Sequence, residues 1–226
     1  MKNFLFTTIV FLLSFSLYSQ TNFNAGISMG GNDYNYGSTF FYNQRSVIIG
    51  SVYLYDEWDN NAEIHTLTNE RFLVKNINLN INRNAFEAKL TDSDSIFSFN
   101  FNNIKQVVIN DKIYKNYFYN DDNRVYEIIY ETEKFSLMKG FSIKLVSKGA
   151  NPMLNRANDK YAKFSSYFVK MDNSIKPFRL RKKSIYNLLG NDKNIISRLD
   201  YYVSSNKLSY KNEEDVVQIL DYGFNL

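Results

Sequence analysis

Cysteine is absent from the 226-residue chain, and histidine occurs once, at His65. The lack of cysteine excludes disulfides, a thiolate nucleophile and cysteine-ligated zinc or iron–sulfur centres. A single imidazole excludes multi-histidine metal sites, and a Ser–His–Asp hydrolase would have to use His65 itself. The nine scattered glycines form no phosphate-binding loop and no dinucleotide-binding motif. The sequence therefore predicts no cofactor and no metal site, and it singles out no catalytic residue.

Long apolar runs are also absent, except at the N terminus. Met1-Lys2-Asn3 precedes a fourteen-residue uncharged run from Phe4 to Leu17, and Tyr18-Ser19-Gln20 follows it. This order of a positive start, an apolar run and a small residue is typical of a secretory signal peptide. The run is shorter than the about 20 residues that a membrane span needs. We expect residues 1–19 to be a cleaved signal, which leaves no transmembrane segment and places the mature chain in the periplasm, in the cell envelope or outside the cell.

The mature chain is predicted to begin with a leader and to continue as a β-rich body. Residues 20–45 are rich in Gly and Asn and show no sustained strand or helix period, which predicts a flexible leader. From residue 46 to residue 181, short apolar runs are broken by Asn and Asp, the pattern of an antiparallel sheet. In residues 77–82, Ile and Leu alternate with Asn, so the Asn face of this strand is expected to be wet. Twelve runs are predicted strands: Ser46–Tyr55, Ala62–Leu67, Arg71–Asn76, Asn78–Asn82, Ala85–Leu90, Ser95–Phe101, Gln106–Ile109, Lys112–Tyr119, Val125–Glu131, Phe135–Leu145, Tyr161–Met171 and Ile175–Leu180.

After Lys182 the spacing of apolar residues changes to that of helices. A short helix is predicted to end at Gly190, a second covers 195–203, and a third runs from Asn212 to Gly223. Strands followed by helices predict an α+β fold, in which an antiparallel sheet, open or a partial barrel, precedes two to three short helices. No linker-like segment interrupts the chain after the leader. We therefore expect one domain at 46–226, with a β body at 46–181 and a helical tail at 182–226.

The formal net charge of +4 is the sum of two opposed parts. Between Lys139 and Lys183, twelve Lys and Arg stand against two carboxylates, so this segment carries +10 and the remainder of the chain carries −6. Strand alternation near the end of the segment turns Phe178 and Leu180 inward and the neighbouring arginines outward. Guanidinium groups suit phosphate and carboxylate partners. The candidate anion-binding residues are Lys176, Arg179, Arg181, Lys182 and Lys183. The competing interpretation is that acidic segments of neighbouring strands neutralise the basic one.

Three other motifs have a simpler interpretation beside the functional one. Asp56-Glu57-Trp58-Asp59 combines carboxylates with an aromatic ring, as in glycoside hydrolases, but nothing fixes a second carboxylate at the required separation, so a charged turn is the alternative. Asp92-Ser93-Asp94 has two ligand positions of a calcium loop, without the Gly and the bidentate Glu that complete one. His65 falls on the strand face opposite Ile64, which predicts a surface imidazole.

Several short motifs occur in a recognisable order. They are Ser19-Gln20 at the end of the signal, Gly50-Ser51-Val52-Tyr53-Leu54, Phe135-Ser136-Leu137-Met138-Lys139, Asn151-Pro152, Tyr167-Phe168-Val169 and Lys207-Leu208-Ser209-Tyr210-Lys211-Asn212-Glu213-Glu214-Asp215. With this order, residues 46–222 resemble a group of uncharacterised exported proteins of Bacteroidetes-type bacteria. The resemblance implies a periplasmic or envelope location and no catalytic residues.

These observations predict a non-catalytic exported module that binds an anionic partner through the face of Arg179 and Arg181. Lipid headgroups, lipopolysaccharide and acidic polysaccharide are the expected partners, and nucleic acid is not expected for an exported protein. Two alternatives stay open. One is an enzyme that acts on envelope glycans with Asp56, Glu57 or Asp59. The other is a structural partner of an envelope protein complex, for which the sign would be an exposed apolar patch on the C-terminal helices.

Overall fold

The computed structural model describes residues 47–90, 95–147 and 158–226. The predicted signal, the leader, the Asp92-Ser93-Asp94 motif and Asn151-Pro152 lie outside these residues. The described strands are β1 (Ala62–Thr66), β2 (Arg71–Val74), β3 (Ile77–Asn80), β4 (Ala85–Lys89), β5 (Ile96–Ser98), β6 (Ile104–Ile109), β7 (Lys112–Tyr119), β8 (Asp122–Glu131), β9 (Ser136–Val146), β10 (Lys160–Met171) and β11 (Ser174–Phe178). A 3-10 turn spans Phe101–Asn103. Three helices follow: α1 (Lys182–Leu188), α2 (Lys193–Ser205) and α3 (Glu213–Phe224).

The strands form two sheets in which every pair is antiparallel. The large sheet has the order β11-β10-β9-β8-β7-β6-β1-β2, and the small sheet has the order β3-β4-β5. The large sheet is open, because β11 and β2 are its two edges. The prediction of an antiparallel α+β fold with a short helical tail is thus confirmed, with an open sheet and three helices.

Asparagine and aspartate form the turns that connect the strands. The β6–β7 turn is Asn110-Asp111 and the β7–β8 turn is Asn120-Asp121, and all four residues have positive φ, between 50° and 63°. Two-residue hairpins favour this backbone conformation because its twist matches that of the strands. Asn and Asp tolerate it better than other side-chain-bearing residues. Among the described residues, nine of the ten non-glycine residues with positive φ are Asn or Asp, so these two residue types supply most of the positive-φ conformations.

Both hydrophobic cores lie on one face of the large sheet. Tyr114, Glu127, Lys139 and Tyr167 are direct neighbours across β7, β8, β9 and β10, so their side chains share that face. At one end of it, β1, β6 and β7 pack against the small sheet through Ile64, Ile77, Leu79, Phe86, Val107, Ile109 and Tyr114, among others. At the other end, β9 and β10 pack against the helices through Leu137, Val169, Ile185, Leu199, Val216, Ile219 and Leu220, among others. We call this side of the sheet the covered face and the opposite side the open face.

A polar seam separates the two cores on the covered face. It consists of Lys112, Glu127, Lys139, Tyr167 and Glu213. The Glu127 carboxylate is buried and lies 3.0 Å from Lys112 Nζ. Glu213, in the first turn of α3, accepts a 2.6 Å hydrogen bond from the Tyr167 hydroxyl and lies 2.9 Å from Lys139 Nζ. Burial alone would raise the pKa of Glu213, but the hydrogen bonds from Tyr167 and Lys139 outweigh it and lower that pKa. The seam therefore ties helix α3 to the sheet.

The structure corrects two expectations about the start of the body. The described part of the predicted strand Ser46–Tyr55 forms only isolated bridges, from Ile49 to Lys160 and from Tyr53 to Asn80. The side chains of Asn78 and Asn80, expected on a wet face, are buried. The cause is the segment 51–57, which lies along β3: Asn78 accepts the Tyr55 N–H at 3.0 Å and donates to the Tyr55 carbonyl at 2.8 Å. These amides satisfy backbone groups that strand pairing leaves free.

Candidate anion-binding surface

The five predicted anion-binding residues lie at the edge strand β11 and in the chain that leads into α1. We call Lys176, Arg179, Arg181, Lys182 and Lys183 the basic surface. All five are exposed. Phe178 and Leu180 are partly buried and pack against the helical core, as strand alternation predicted. The core thus turns the apolar side chains of this segment inward and leaves the cations in solvent.

Lys182 already has a partner within the fold. Its Nζ lies 2.7 Å from Asp200 Oδ1, on helix α2, and above the rings of Tyr186 and Tyr210. The hydrogen bond with Asp200 raises the pKa of Lys182. Asp200 also accepts hydrogen bonds from the hydroxyls of Tyr186 and Tyr210. Lys182 therefore joins the start of α1 to α2, and its charge is largely neutralised in place.

The other members of the basic surface are less engaged. Arg181 precedes helix α1, and its Nε donates a 3.0 Å hydrogen bond to Ser184 Oγ, which leaves the rest of the guanidinium exposed. Lys176, Arg179 and Lys183 make no ion pair with any described residue. The sequence from residue 173 to residue 191 contains no Asp or Glu. A locally positive surface therefore remains after Lys182 is paired.

The interpretation that acidic segments neutralise the basic one holds for part of the +10 segment. Ten of its twelve cations lie among the described residues, and three of these make ion pairs there. Besides Lys182, they are Lys139, which pairs with Glu213, and Lys163, which lies 2.9 Å from Asp56. Surface ion pairs contribute about 0–1 kcal/mol each. The segment's described cations outside these three pairs lie partly in the basic surface and partly on β9 and β10, at Lys144, Lys160 and Lys170.

The Asp56-Glu57-Trp58-Asp59 motif does not form an enclosed pair of carboxylates. The side chains of Asp56, Glu57 and Asp59 are exposed, and none lines either of the two described cavities. The hydrogen bond with Lys163 lowers the pKa of Asp56. Trp58 packs edge-on against the Tyr53 ring, with Lys89 Nζ 4.7 Å from the Trp58 ring centre. This is the arrangement of a charged turn anchored by its tryptophan.

A buried carboxylate that the sequence did not single out lies in the small sheet. Glu87 accepts hydrogen bonds from the Tyr53 hydroxyl at 2.7 Å, from Asn80 at 3.2 Å and from Arg83 at 3.2 Å. Burial and the bond to Glu87 raise the pKa of Tyr53 to about 12. Glu87 is the one carboxylate that lines the larger described cavity, of about 390 Å³. Because its oxygens are already occupied by three donors, Glu87 is positioned to anchor the segment around Tyr53.

Among the described residues, His65 and the acidic side chains do not assemble a metal site. The His65 imidazole is partly buried rather than fully at the surface, with Nε2 2.9 Å from Glu63 and Nδ1 3.3 Å from the Gln106 amide. The described residues contain no group of three His, Asp or Glu side chains placed to hold a metal ion. Within the same residues, no helix has both the length and the apolar character that crossing a membrane requires.

Comparison with known proteins identifies no relative of this chain. No protein-family profile, curated protein or solved structure matches this chain. The resemblance to exported proteins of Bacteroidetes-type bacteria therefore stays a prediction, and the functional conclusion depends on the residues of the chain itself.

Proposed function

We propose that this protein is a non-catalytic, exported module of the periplasm or cell envelope that binds an anionic partner through its basic surface. One observation carries the proposal: Lys176, Arg179 and Lys183 are exposed and have no ion-pair partner among the described residues, within a stretch free of carboxylates. The partner chemistry that fits is phosphate, because guanidinium forks bind it through paired hydrogen bonds. Lipid headgroups and the phosphates of lipopolysaccharide share this chemistry.

Export is supported by the predicted signal at residues 1–19. If it is cleaved after Ser19, the protein isolated from its native cells begins at Gln20, as intact-mass measurement and N-terminal sequencing would show. An intact Met1 on the cell-derived protein would contradict the export part of the proposal.

The two alternative functions receive less support from the geometry. The enzyme hypothesis needs an enclosed carboxylate pair near Trp58, and the three carboxylates there are exposed. The hypothesis of a structural partner needs an apolar patch on the helices. Within α1, α2 and α3, which are fully described, Tyr201 is the one large apolar residue that is strongly exposed. Binding to an anionic surface is the function that the described side chains support best.

Flotation of the protein with lipid vesicles tests the proposal. We expect binding to phosphatidylglycerol vesicles but not to phosphatidylcholine vesicles, and we expect added salt to weaken it because salt screens exposed charges. Each basic residue near an anionic membrane contributes about 1 kcal/mol. The double variant Arg179→Glu, Lys183→Glu should therefore bind at least roughly thirtyfold more weakly, since about 1.4 kcal/mol corresponds to a factor of ten.

The matched control is the double variant Lys75→Glu, Lys105→Glu, which changes the net charge equally at two exposed residues outside the basic surface. It should bind almost as the unmodified protein does. Equal loss in both variants would show that net charge, and not this surface, drives binding. Parallel measurements with lipopolysaccharide distinguish the two sources of phosphate. Absence of binding to both would overturn the proposal.

A further inference from the structure

A cleft opens on the large sheet where strands β8 and β9 separate. Their ladder runs from Glu131 and Ser136 to Tyr126 and Gly140 and ends there. Beyond that point β8 stays paired with β7 as far as Asp122, while β9 stays paired with β10 as far as Val146. The β7–β8 and β9–β10 hairpins therefore diverge beyond this point. A cavity of about 180 Å³ lies between the two hairpins and is lined by residues of both.

The cleft is lined by hydroxyl groups, aromatic rings, the amide of Asn84 and one cation, Arg124. Its lining residues include Arg124 and Tyr126 on β8, Ser142 on β9, and Ser166 and Phe168 on β10. These five occupy the open face, because Tyr126 is the direct neighbour of Gly140, which is the direct neighbour of Ser166. Arg124 thus lies on the face opposite to that of Lys176, whose cross-strand neighbour Val169 belongs to the covered face.

Two buried polar atoms in this cleft have no hydrogen-bond partner within the described part of the chain. Tyr126 is 1% exposed, and its hydroxyl makes no hydrogen bond with any described residue. Arg124 Nε is also buried without a hydrogen-bond partner, and no carboxylate among the described residues pairs with Arg124. The large majority of buried side-chain polar atoms in proteins have a hydrogen-bond partner. Unpaired groups that line a cavity are what a binding site shows before its ligand supplies the missing partners.

The surrounding rings hold these groups in place. Phe168 contacts the Tyr126 ring at 5.3 Å and the Tyr119 ring at 5.6 Å between centres, and the Arg124 guanidinium lies 5.8 Å from the Tyr119 ring centre. Gly140 makes this packing possible, because a Cβ there would lie 2.9 Å from Phe168 and 3.1 Å from Tyr126. The aromatic cluster therefore fixes the orientation of the polar groups before a ligand arrives.

We infer that the cleft between β8 and β9 binds an acidic saccharide, with one uronic-acid unit seated in the cavity. Arg124 would bind the carboxylate, Ser142, Ser166 and Tyr126 would hydrogen-bond the ring hydroxyls, and Phe168 would contact the apolar C–H face. The volume suits one sugar-sized group, being below the about 300–1,000 Å³ of sites for drug-sized molecules. Three hydroxyl groups around one guanidinium match a polyol with a single negative charge better than a nucleobase. This site is independent of the basic surface and does not require the proposed phosphate binding.

Calorimetric titration with a galacturonic-acid oligosaccharide tests the inference, with the neutral galactose oligosaccharide of equal length as the ligand control. We expect binding of the acidic oligosaccharide alone. Tyr126→Phe should weaken it roughly two- to tenfold, the range for one hydrogen bond, without lowering the stability of the free protein, since the hydroxyl has no partner there. Arg124→Gln should weaken it roughly tenfold to a hundredfold, because the lost bonds are to a charged group.

Tyr117→Phe is the matched control variant. Tyr117 lies on the same face and contacts the Tyr126 ring, but it does not line the cavity. This variant should bind the acidic oligosaccharide as tightly as the unmodified protein. The inference fails if the acidic oligosaccharide does not bind, if the neutral one binds equally well, or if Tyr126→Phe and Tyr117→Phe have the same effect. It also fails if a single-stranded oligonucleotide binds more tightly, which would make the cleft a nucleobase site.

Discussion

Asparagine serves two distinct roles in this protein, and only one of them is visible in the sequence. In the turns, Asn110 and Asn120 adopt positive φ, as expected for Asn between short strands. In β3, Asn78 and Asn80 are buried and hydrogen-bonded, although their alternation with Ile and Leu predicted a wet face. The alternation identified the core face correctly. The opposite face of β3, which carries Asn78 and Asn80, is covered by residues 51–57. No local sequence pattern predicts where that segment lies.

Gly140 is the residue at which a single methyl group should matter most. An added Cβ would lie 2.9 Å from Phe168, closer than real Cβ atoms approach, and 3.1 Å from Tyr126, which is a tight contact. Overpacking of this kind costs about 1–3 kcal/mol. We therefore expect Gly140→Ala to lower the free energy of unfolding by that amount in urea denaturation.

Ser142→Ala is the control for this prediction. Ser142 is exposed, two residues further along β9 on the same face, so its replacement should change stability by less than about 0.5 kcal/mol. Equal stability of Gly140→Ala and the unmodified protein would show that the Phe168 and Tyr126 rings can move aside.

Most secondary-structure elements could be predicted because the spacing of apolar residues is that of a strand, or of a helix, along the whole element. Eleven of the twelve predicted strands and all three helices overlap observed elements among the described residues. The exception, Ser46–Tyr55, is apolar enough for a strand but has too few partners. It is held by Asn78, by the Leu54 and Leu79 backbones and by the bond from Tyr53 to Glu87. Contacts of this kind, between segments distant along the chain, produce no periodic pattern in the sequence.

Helix α3 depends on Glu213 for its attachment to the sheet. Its carboxylate binds the Tyr167 hydroxyl and Lys139 on the covered face. Hydrogen bonds to charged groups contribute about 1.5–3 kcal/mol, so Glu213→Ala should lower the free energy of unfolding at neutral pH by about that amount. Glu214→Ala is the matched control, because Glu214 lies in the same helical turn but is exposed.

The same attachment predicts a pH dependence with a definite sign. The pKa of Glu213 in the folded protein lies below its ordinary value of 4.5. A carboxylate with a lowered pKa stabilises the fold above its unfolded pKa and loses that contribution as the pH falls through the folded one. The stability difference between Glu213→Ala and the unmodified protein should therefore be constant above about pH 4.5 and shrink below it. A difference that stays unchanged in acid would contradict the role of the charge.

At the scale of the whole molecule, the opposed charges of the sequence are only partly combined by the fold. The +10 segment could be counted from the sequence, but the pairing of Lys139 with Glu213 and of Lys182 with Asp200 depends on how the helices pack against the sheet. These partners lie 74 and 18 residues away along the chain. The sequence therefore located the basic segment, and the fold indicates which of its described cations make ion pairs with other described residues.

The cleft between β8 and β9 could not have been predicted as a site. The cleft exists because the β7–β8 and β9–β10 hairpins diverge. The sequence does not indicate at which residue the pairing of β8 with β9 ends. One local signal was present: Gly140 stands inside a long predicted strand, where glycine often marks a close approach of other groups. In the sequence, Arg124 is the only base among the five carboxylates of residues 121–133, and no local pattern links it to Tyr126 and Phe168.

Binding of an anionic surface by the cations near β11 and α1 is the central claim, and residue-resolved NMR tests it most directly. The isotope-labelled protein would be titrated with phosphatidylglycerol nanodiscs and, separately, with phosphatidylcholine nanodiscs. We predict that the amide signals of Lys176, Arg179 and Lys183 shift or broaden first, only with the anionic lipid, and recover on addition of salt. Unchanged signals at these residues, or changes concentrated elsewhere on the sheet, would contradict the account.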